Sequence, residues 1–282
     1  MPHDLALYNG RFVSSRDPLL PLGQAGLFTG WGVFTTLRIY AGIPFAFERH
    51  WERLTRDAGL LAVEMPKDRD ALRDRLIELA RRNRCPEAKM RLNIVRADPG
   101  IWESVRTGRA SNVAAFSADL VPGPDTAALC VRAQGRHAGS RFAGTKTLSW
   151  VHNLALFRAA QNSGYADALL LNEFDHVSEC TSANVFIVRD GVTVTPPLSS
   201  GALPGITREV MLGELGEPVE EATLRESDLY AADEVFITSS TRELLPVDRI
   251  GDRPLPGPWP VMERLRGKLQ EYVAGYVRSA RR

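Results

Sequence analysis

Val177-Ser-Glu-Cys-Thr-Ser-Ala-Asn-Val-Phe186 joins two β-prone runs through five small or polar residues. Val177–Ser178 and Val185–Val188 read as strands, and Val192–Thr195 as the next, with no helical period between them. Working outward, Leu129–Ala133, Ala168–Leu171 and Glu234–Thr238 read as further strands. Val151–Asn162, Thr207–Leu215 and Pro260–Ser279 read as helices. Towards the N-terminus, strands are expected at Leu5–Tyr8, Arg11–Val13, Phe34–Tyr40, Ile43–Phe47 and Asn112–Phe116, with Ala41-Gly42 as a turn. In Lys89–Val95, Met90, Leu92 and Ile94 alternate with Lys89, Arg91 and Asn93, the period of a half-buried strand. Glu48–Leu60, with Trp51, Leu54, Ala58 and Leu61 on one stripe, and Asp68–Asn83, with Leu72, Leu76, Leu79 and Ala80, carry the helical period. Strands and helices alternate without a regular βαβ rhythm, so the fold class is α+β and not a doubly wound sheet. The breaker-rich Leu120-Val-Pro-Gly-Pro-Asp125 divides a small N-terminal domain (1–118) from a larger one (126–282), with 119–125 as the linker.

A chain of 282 residues with a formal net charge of +1 is long enough for two cores and carries no bias towards nucleic acid or an acidic membrane surface. It contains no apolar run of spanning length, and its first residues lack the pattern of a signal peptide. Its 3 cysteines, Cys85, Cys130 and Cys180, are scattered, which argues for a reducing, cytoplasmic setting and against a disulfide framework. No Cys/His spacing suggests a metal site. The basic C-terminal tail, Arg278 to Arg282, is expected to cap the last helix.

The chemistry begins with lysine. Of 35 basic residues, only Lys67, Lys89, Lys146 and Lys268 are lysines. Arginine cannot form an imine, whereas a partly deprotonated lysine can. Lys146 follows a small-residue stretch and precedes a helix, where an amine can enter a cleft; alone, it also reads as a surface lysine. Glu179 lies beside residues small enough to let a ligand approach, and otherwise reads as a solvated loop acid. Leu203-Pro-Gly-Ile-Thr-Arg208 is a turn into a helix whose N–H groups suit a phosphate, with Thr207 alternatively an ordinary N-cap. Thr238-Ser-Ser-Thr-Arg242 ends a strand with four hydroxyls, a phosphate contact or a polar turn. Arg53 is a candidate phosphate partner on the first long helix. Lys89 and Arg91 on one strand face suit a substrate carboxylate or an edge facing water. An imine-forming amine, an acid and an anion-binding turn are what a pyridoxal phosphate site requires.

Together these segments resemble the fold-type IV pyridoxal-phosphate enzymes, the class IV aminotransferases. The series runs from Gly30-Trp-Gly-Val-Phe-Thr-Thr-Leu-Arg38 and Phe47-Glu-Arg-His-Trp-Glu-Arg-Leu54 through Lys146-Thr-Leu-Ser-Trp150 and Val177–Phe186. It closes with Leu203–Arg208 and Ala232-Asp-Glu-Val-Phe236. The resemblance implies a small α/β-sandwich-like N-terminal domain, a larger pseudo-barrel domain with the cofactor between them, and a homodimer. It makes Lys146 the Schiff-base lysine and Glu179 the partner of the pyridine nitrogen. It gives Arg53, Ile206, Thr207 and Ser240 to the phosphate, and Thr29, Arg38, Lys89, Arg91 and Thr241 to the substrate. The expected reaction moves an amino group between a branched-chain, D- or related amino acid and a 2-keto acid. Aminodeoxychorismate lyase, which Phe34-Thr-Thr-Leu-Arg38 resembles, and a non-catalytic cofactor-binding protein are the alternatives. The chain departs from its relatives at Phe28-Thr-Gly-Trp-Gly32, where an aromatic hydroxyl is expected, at Trp150, where tyrosine is frequent, and at Thr193, which replaces an aliphatic residue.

Overall fold

A computed structural model describes residues 1–17, 25–97, 108–255 and 257–281. These divide into two compact units. The first comprises Met1–Val121, Lys146–Trp150 and Tyr276–Arg282; the second comprises Pro122–Thr145 and Val151–Gly275.

The first unit contains β1 (Pro2–Tyr8), β2 (Arg11–Ser14), α1 (Ala25–Thr29), β3 (Gly32–Tyr40), β4 (Ile43–Pro44), α2 (Phe47–Leu60), α3 (Arg69–Arg82), β5 (Ala88–Arg96) and β6 (Ser111–Ala118). Its six strands form one sheet in the order β2-β1-β6-β5-β3-β4, antiparallel throughout. The alternation expected at Lys89–Val95 is present. Met90, Leu92 and Ile94 are fully buried in a core with Leu54, Ala58, Leu76 and Leu79 from α2 and α3. Each such large side chain contributes about 1.5–3 kcal/mol. Asp68 caps α3 by accepting the Ala71 N–H at 2.8 Å. The strand expected over Ile43–Phe47 stops at Pro44. Pro44 has no N–H to extend the ladder, Ala46 turns the chain at φ 50°, and Phe47 opens α2.

The second unit contains β7 (Ala127–Arg132), α4 (Val151–Asn162), β8 (Asp167–Leu171), β9 (Val177–Cys180), β10 (Asn184–Arg189), β11 (Val192–Thr195), α5 (Ile206–Gly213), β12 (Val219–Glu221), α6 (Glu226–Tyr230), β13 (Glu234–Ser239), β14 (Glu243–Ile250), β15 (Arg253–Pro254) and most of α7 (Pro260–Ala280). Its nine strands run β12-β11-β10-β13-β14-β7-β8-β9, with β15 beside β14. Parallel pairs (β11–β12, β14–β7, β7–β8) mix with antiparallel ones, the mixed α+β architecture expected. β8 to β10 are buried along most of their length, as strands covered on both faces should be. Of the basic tail, Arg278 stands in the last turn of α7. Arg281 instead donates to the Ala41 carbonyl at 2.8 Å, and Arg282 lies outside the described residues.

Candidate active site

β4 is two residues long, so the flank of β3 at Val33–Phe34 is open to another partner, and Lys146–Leu148 takes it. The Phe34 N–H donates to the Lys146 carbonyl at 3.0 Å and the Leu148 N–H to the Gly32 carbonyl at 2.9 Å. The Lys146 N–H donates to Asp57 Oδ2 at 3.0 Å. Asp57 is almost fully buried on α2, so a charge-assisted bond fixes the main chain from which the amine extends. The Lys146 Nζ lies 4.7 Å from the ring centre of Phe34 and 4.7 Å from that of Trp150. Those two rings meet edge-on at 5.5 Å. The tryptophan found where relatives often carry tyrosine is thus one wall around the amine.

Arg53, one turn before Asp57, is buried. It donates through Nη2 to Thr35 Oγ1 at 2.9 Å, and the same hydroxyl lies 2.6 Å from His50 Nδ1. His50 is fully enclosed, and its Nε2 has no hydrogen-bond partner. Burial pushes its imidazole well below the usual value, and Arg53 and Lys146 add repulsion. The unfolded chain therefore takes up a proton below about pH 6.5 that the native chain refuses. The stability tied to this group is complete above that pH and is lost as pH falls through it, at no more than about 1.4 kcal/mol per pH unit. Thermal melts between about pH 5 and pH 8 check this, with His50→Gln expected to lose that part of the acid slope.

Of the residues assigned to the substrate, Arg38, Lys89 and Arg91 lie on the sheet face opposite this unit's core. Arg91 stacks on the Phe34 ring at 3.7 Å and donates from Nε to Asn93 at 2.9 Å. Lys89 stands directly across from Arg38, which packs over Tyr40 at 4.8 Å. Thr29 ends α1, where its carbonyl accepts the Ser149 hydroxyl at 3.0 Å. The structure thus groups Lys146 and Arg91 around Phe34, holds Arg53 through Thr35, the next residue of β3, and leaves Lys89 and Arg38 further along the strands.

In the second unit, Glu179 is buried on β9. Its Oε1 accepts from Arg136 Nη2 at 2.7 Å, and its Oε2 accepts the Leu203 N–H at 3.0 Å. The Asn184 amide donates to the Leu203 carbonyl at 2.8 Å. Asn184 therefore anchors the 203–205 turn, and the same amide lies 3.5 Å from Glu179 Oε2. Gly205 permits this approach, since a Cβ there would fall 2.0 Å from Asn184 Oδ1. The turn runs into α5, whose N-cap is Gly205 and has no side-chain cap bond. Thr207 is not the N-cap; it sits within the first turn, where it and Ile206 are buried. Uncapped first-turn N–H groups on a dipole's positive end suit a phosphate. Ser240 and Thr241 occupy the hairpin tip between β13 and β14.

Buried polar atoms without a partner mark where an added group would fit. His50 Nε2 is one in the first unit; Ser178 Oγ, Arg136 Nε and Thr238 Oγ1 are others in the second. Within the first unit the amine suits an aldehyde; within the second the guanidinium-held carboxylate and the uncapped helix start suit a basic ring and a phosphate. Thr35, His50, Asp57 and Arg136 escaped the reading of the sequence. Only Asp57 left a signal, as an acid four residues from Arg53 on one helix face. Among the described residues, no group of acids, histidines and cysteines could hold a metal ion, and no helix is long and apolar enough to cross a membrane.

Comparison with known proteins agrees with this chemistry. Residues 32–250 match the family described as amino-transferase class IV. A putative branched-chain-amino-acid aminotransferase of Methanocaldococcus jannaschii is 32% identical over 251 residues, covering 87% of each chain. A D-alanine aminotransferase of Bacillus licheniformis is 27% identical over 284 residues, covering 95% of this chain and 96% of its own. The solved branched-chain amino acid aminotransferase of Escherichia coli superposes with a TM-score of 0.87 at 26% identity, covering 97% of this chain and 96% of that one. The family match spans well over half of the sequence, and this chain belongs to the class IV aminotransferases, enzymes that work with pyridoxal phosphate.

Proposed function

We propose that this aminotransferase moves an amino group from a branched-chain, D- or related amino acid to a 2-keto acid, with Lys146 as its covalent amine. The observation that carries this reading is the placement of Lys146 Nζ between Phe34 and Trp150, on a main chain held by Asp57. Pyridoxal phosphate, when bound, supplies an aldehyde for the covalent link and a protonated ring that withdraws electrons. Lys146 takes the proton from the amino acid's α-carbon and returns it. Glu179, which accepts from Arg136, would pair with the ring nitrogen. Arg53, the N–H groups of Ile206 and Thr207, and Ser240 hold the phosphate. Ser240 and Thr241 main-chain groups face the substrate's carboxylate, and Thr29, Arg38, Lys89 and Arg91 bound the space for its side chain.

The enzyme acts as a cytoplasmic homodimer on small molecules, with neither nucleic acid nor membrane as partner. The balanced charge, the three free, buried cysteines and the family resemblance support this. The substrates named for its relatives, branched-chain amino acids and D-alanine, leave donor stereochemistry as the deciding measurement. The test incubates the purified enzyme with 2-oxoglutarate and a panel of L- and D-amino acids. Glutamate formation from one branched-chain or D-amino donor is expected. Release of pyruvate from aminodeoxychorismate without an acceptor, and no transfer from any donor, would replace this reading with elimination.

A further inference from the structure

Asp167 opens β8 and is completely buried. Its Oδ1 accepts the Thr181 N–H at 3.1 Å and the Thr181 hydroxyl at 2.5 Å. Its Oδ2 accepts the Ser182 hydroxyl at 2.5 Å and faces Arg242 Nη1 at 3.3 Å. The same Nη1 donates to Ser182 Oγ at 2.9 Å. One enclosed carboxylate therefore holds two segments. The first follows directly on Glu179; the second is the hairpin tip Ser240–Thr241–Arg242. A carboxylate this deep requires a cation, and among the described residues Arg242 is the cation that reaches it. Arg242 is fixed at its main chain as well, where its N–H donates to Ser239 Oγ at 3.2 Å. The next residue, Glu243, lies in the left-handed region at φ 57°, which closes the connection tightly. Hairpin tips are ordinarily among the least stable parts of a fold. Here the third residue of the tip is tied to a buried carboxylate, and Ser240, Thr241 and Arg242 are all half-buried.

Given the proposed role of Ser240 and Thr241, we infer that Asp167 and Arg242 are a positioning pair that sets this turn for the substrate's carboxylate. Neither side chain touches the substrate. The pair fixes where the N–H groups of the turn point, and a misdirected N–H loses a hydrogen bond to a charged carboxylate, roughly a tenfold to hundredfold loss of recognition.

Calorimetry with isovalerate, a carboxylate lacking the amino group, tests this on the holoenzyme. Arg242→Gln should weaken isovalerate binding by roughly tenfold to a hundredfold and raise KM for the amino donor similarly, with kcat within about threefold. Arg242→Lys keeps a charge near Asp167 but loses the planar fork, and should weaken binding by a few fold. If Arg242→Gln fails to fold, Arg242→Lys carries the test, and unchanged affinity there overturns the inference. Thr241→Pro, which removes an N–H of the turn itself, separates the two readings. Loss of affinity in Thr241→Pro but not in the Arg242 variants overturns the positioning pair and leaves the turn's role intact. Unchanged affinity in all of them overturns both.

Discussion

Lys146→Ala is expected to lower turnover by about four orders of magnitude or more, because no other group can replace a covalent amine. The variant should also lose any visible band that borohydride reduces. The fold should survive. The contacts of the Lys146 amine with Phe34 and Trp150, which alanine removes, are worth about 0.5–2 kcal/mol. Its N–H bond to Asp57 and the Phe34 bond to its carbonyl are main-chain features that alanine keeps. Activity assays beside thermal melts check this. Turnover retained in a folded Lys146→Ala protein would place the covalent amine elsewhere, and mass spectrometry of the reduced, digested wild type would then find it on another peptide.

Glu179→Gln should bind the cofactor and keep its colour, yet slow removal of the α-proton by about two to three orders of magnitude. A neutral amide cannot hold the ring nitrogen protonated as a carboxylate does. The substitution also disturbs the site's own bonds. Glu179 now accepts from both Arg136 and Leu203; a glutamine presents one oxygen and an NH2 group, so one of these donors loses its acceptor. That adds about 1–3 kcal/mol of destabilisation, visible as a lower Tm. Rapid mixing of enzyme with α-deuterated and ordinary donor separates the two effects. The isotope effect should grow in the variant as proton transfer becomes limiting. An unchanged rate would mean that the ring nitrogen has another partner.

Much of this fold can be read locally. Lys89–Val95 shows its two faces because a half-buried strand must alternate, and Asp68–Asn83 shows both its stripe and its caps. β14 is harder to read. Pro246 stands inside it, paired with Phe236, and proline normally argues against an interior strand. Its place in the sheet is set not only by its hairpin partner β13 but also by β7, far earlier in the chain, which Glu243–Ile250 does not announce. The site divides in the same way. Lys146, Glu179 and the Leu203–Arg208 turn sit in short segments whose residue types announce a chemistry. Asp57, Arg136 and Asp167 act on residues far along the chain: Asp57 on the Lys146 N–H, Arg136 on Glu179, Asp167 on Arg242. An aspartate or arginine with such a task looks in sequence like any surface charge, because only tertiary folding supplies its partner.

The Lys146–Trp150 stretch counts with the first unit although the residues on either side of it count with the second. Dissection of the protein at the Val121–Pro122 boundary therefore cannot yield a self-sufficient N-terminal fragment. A truncated polypeptide ending there would carry Arg53 and Asp57 but leave the β3 flank at Val33–Phe34 with raw main-chain groups, an adhesive edge prone to self-association. It would also lack Tyr276, whose hydroxyl donates to Glu48 at 2.7 Å. Reconstitution of that half calls for a split design that returns a peptide spanning 146–150, and the reactive amine comes back with it.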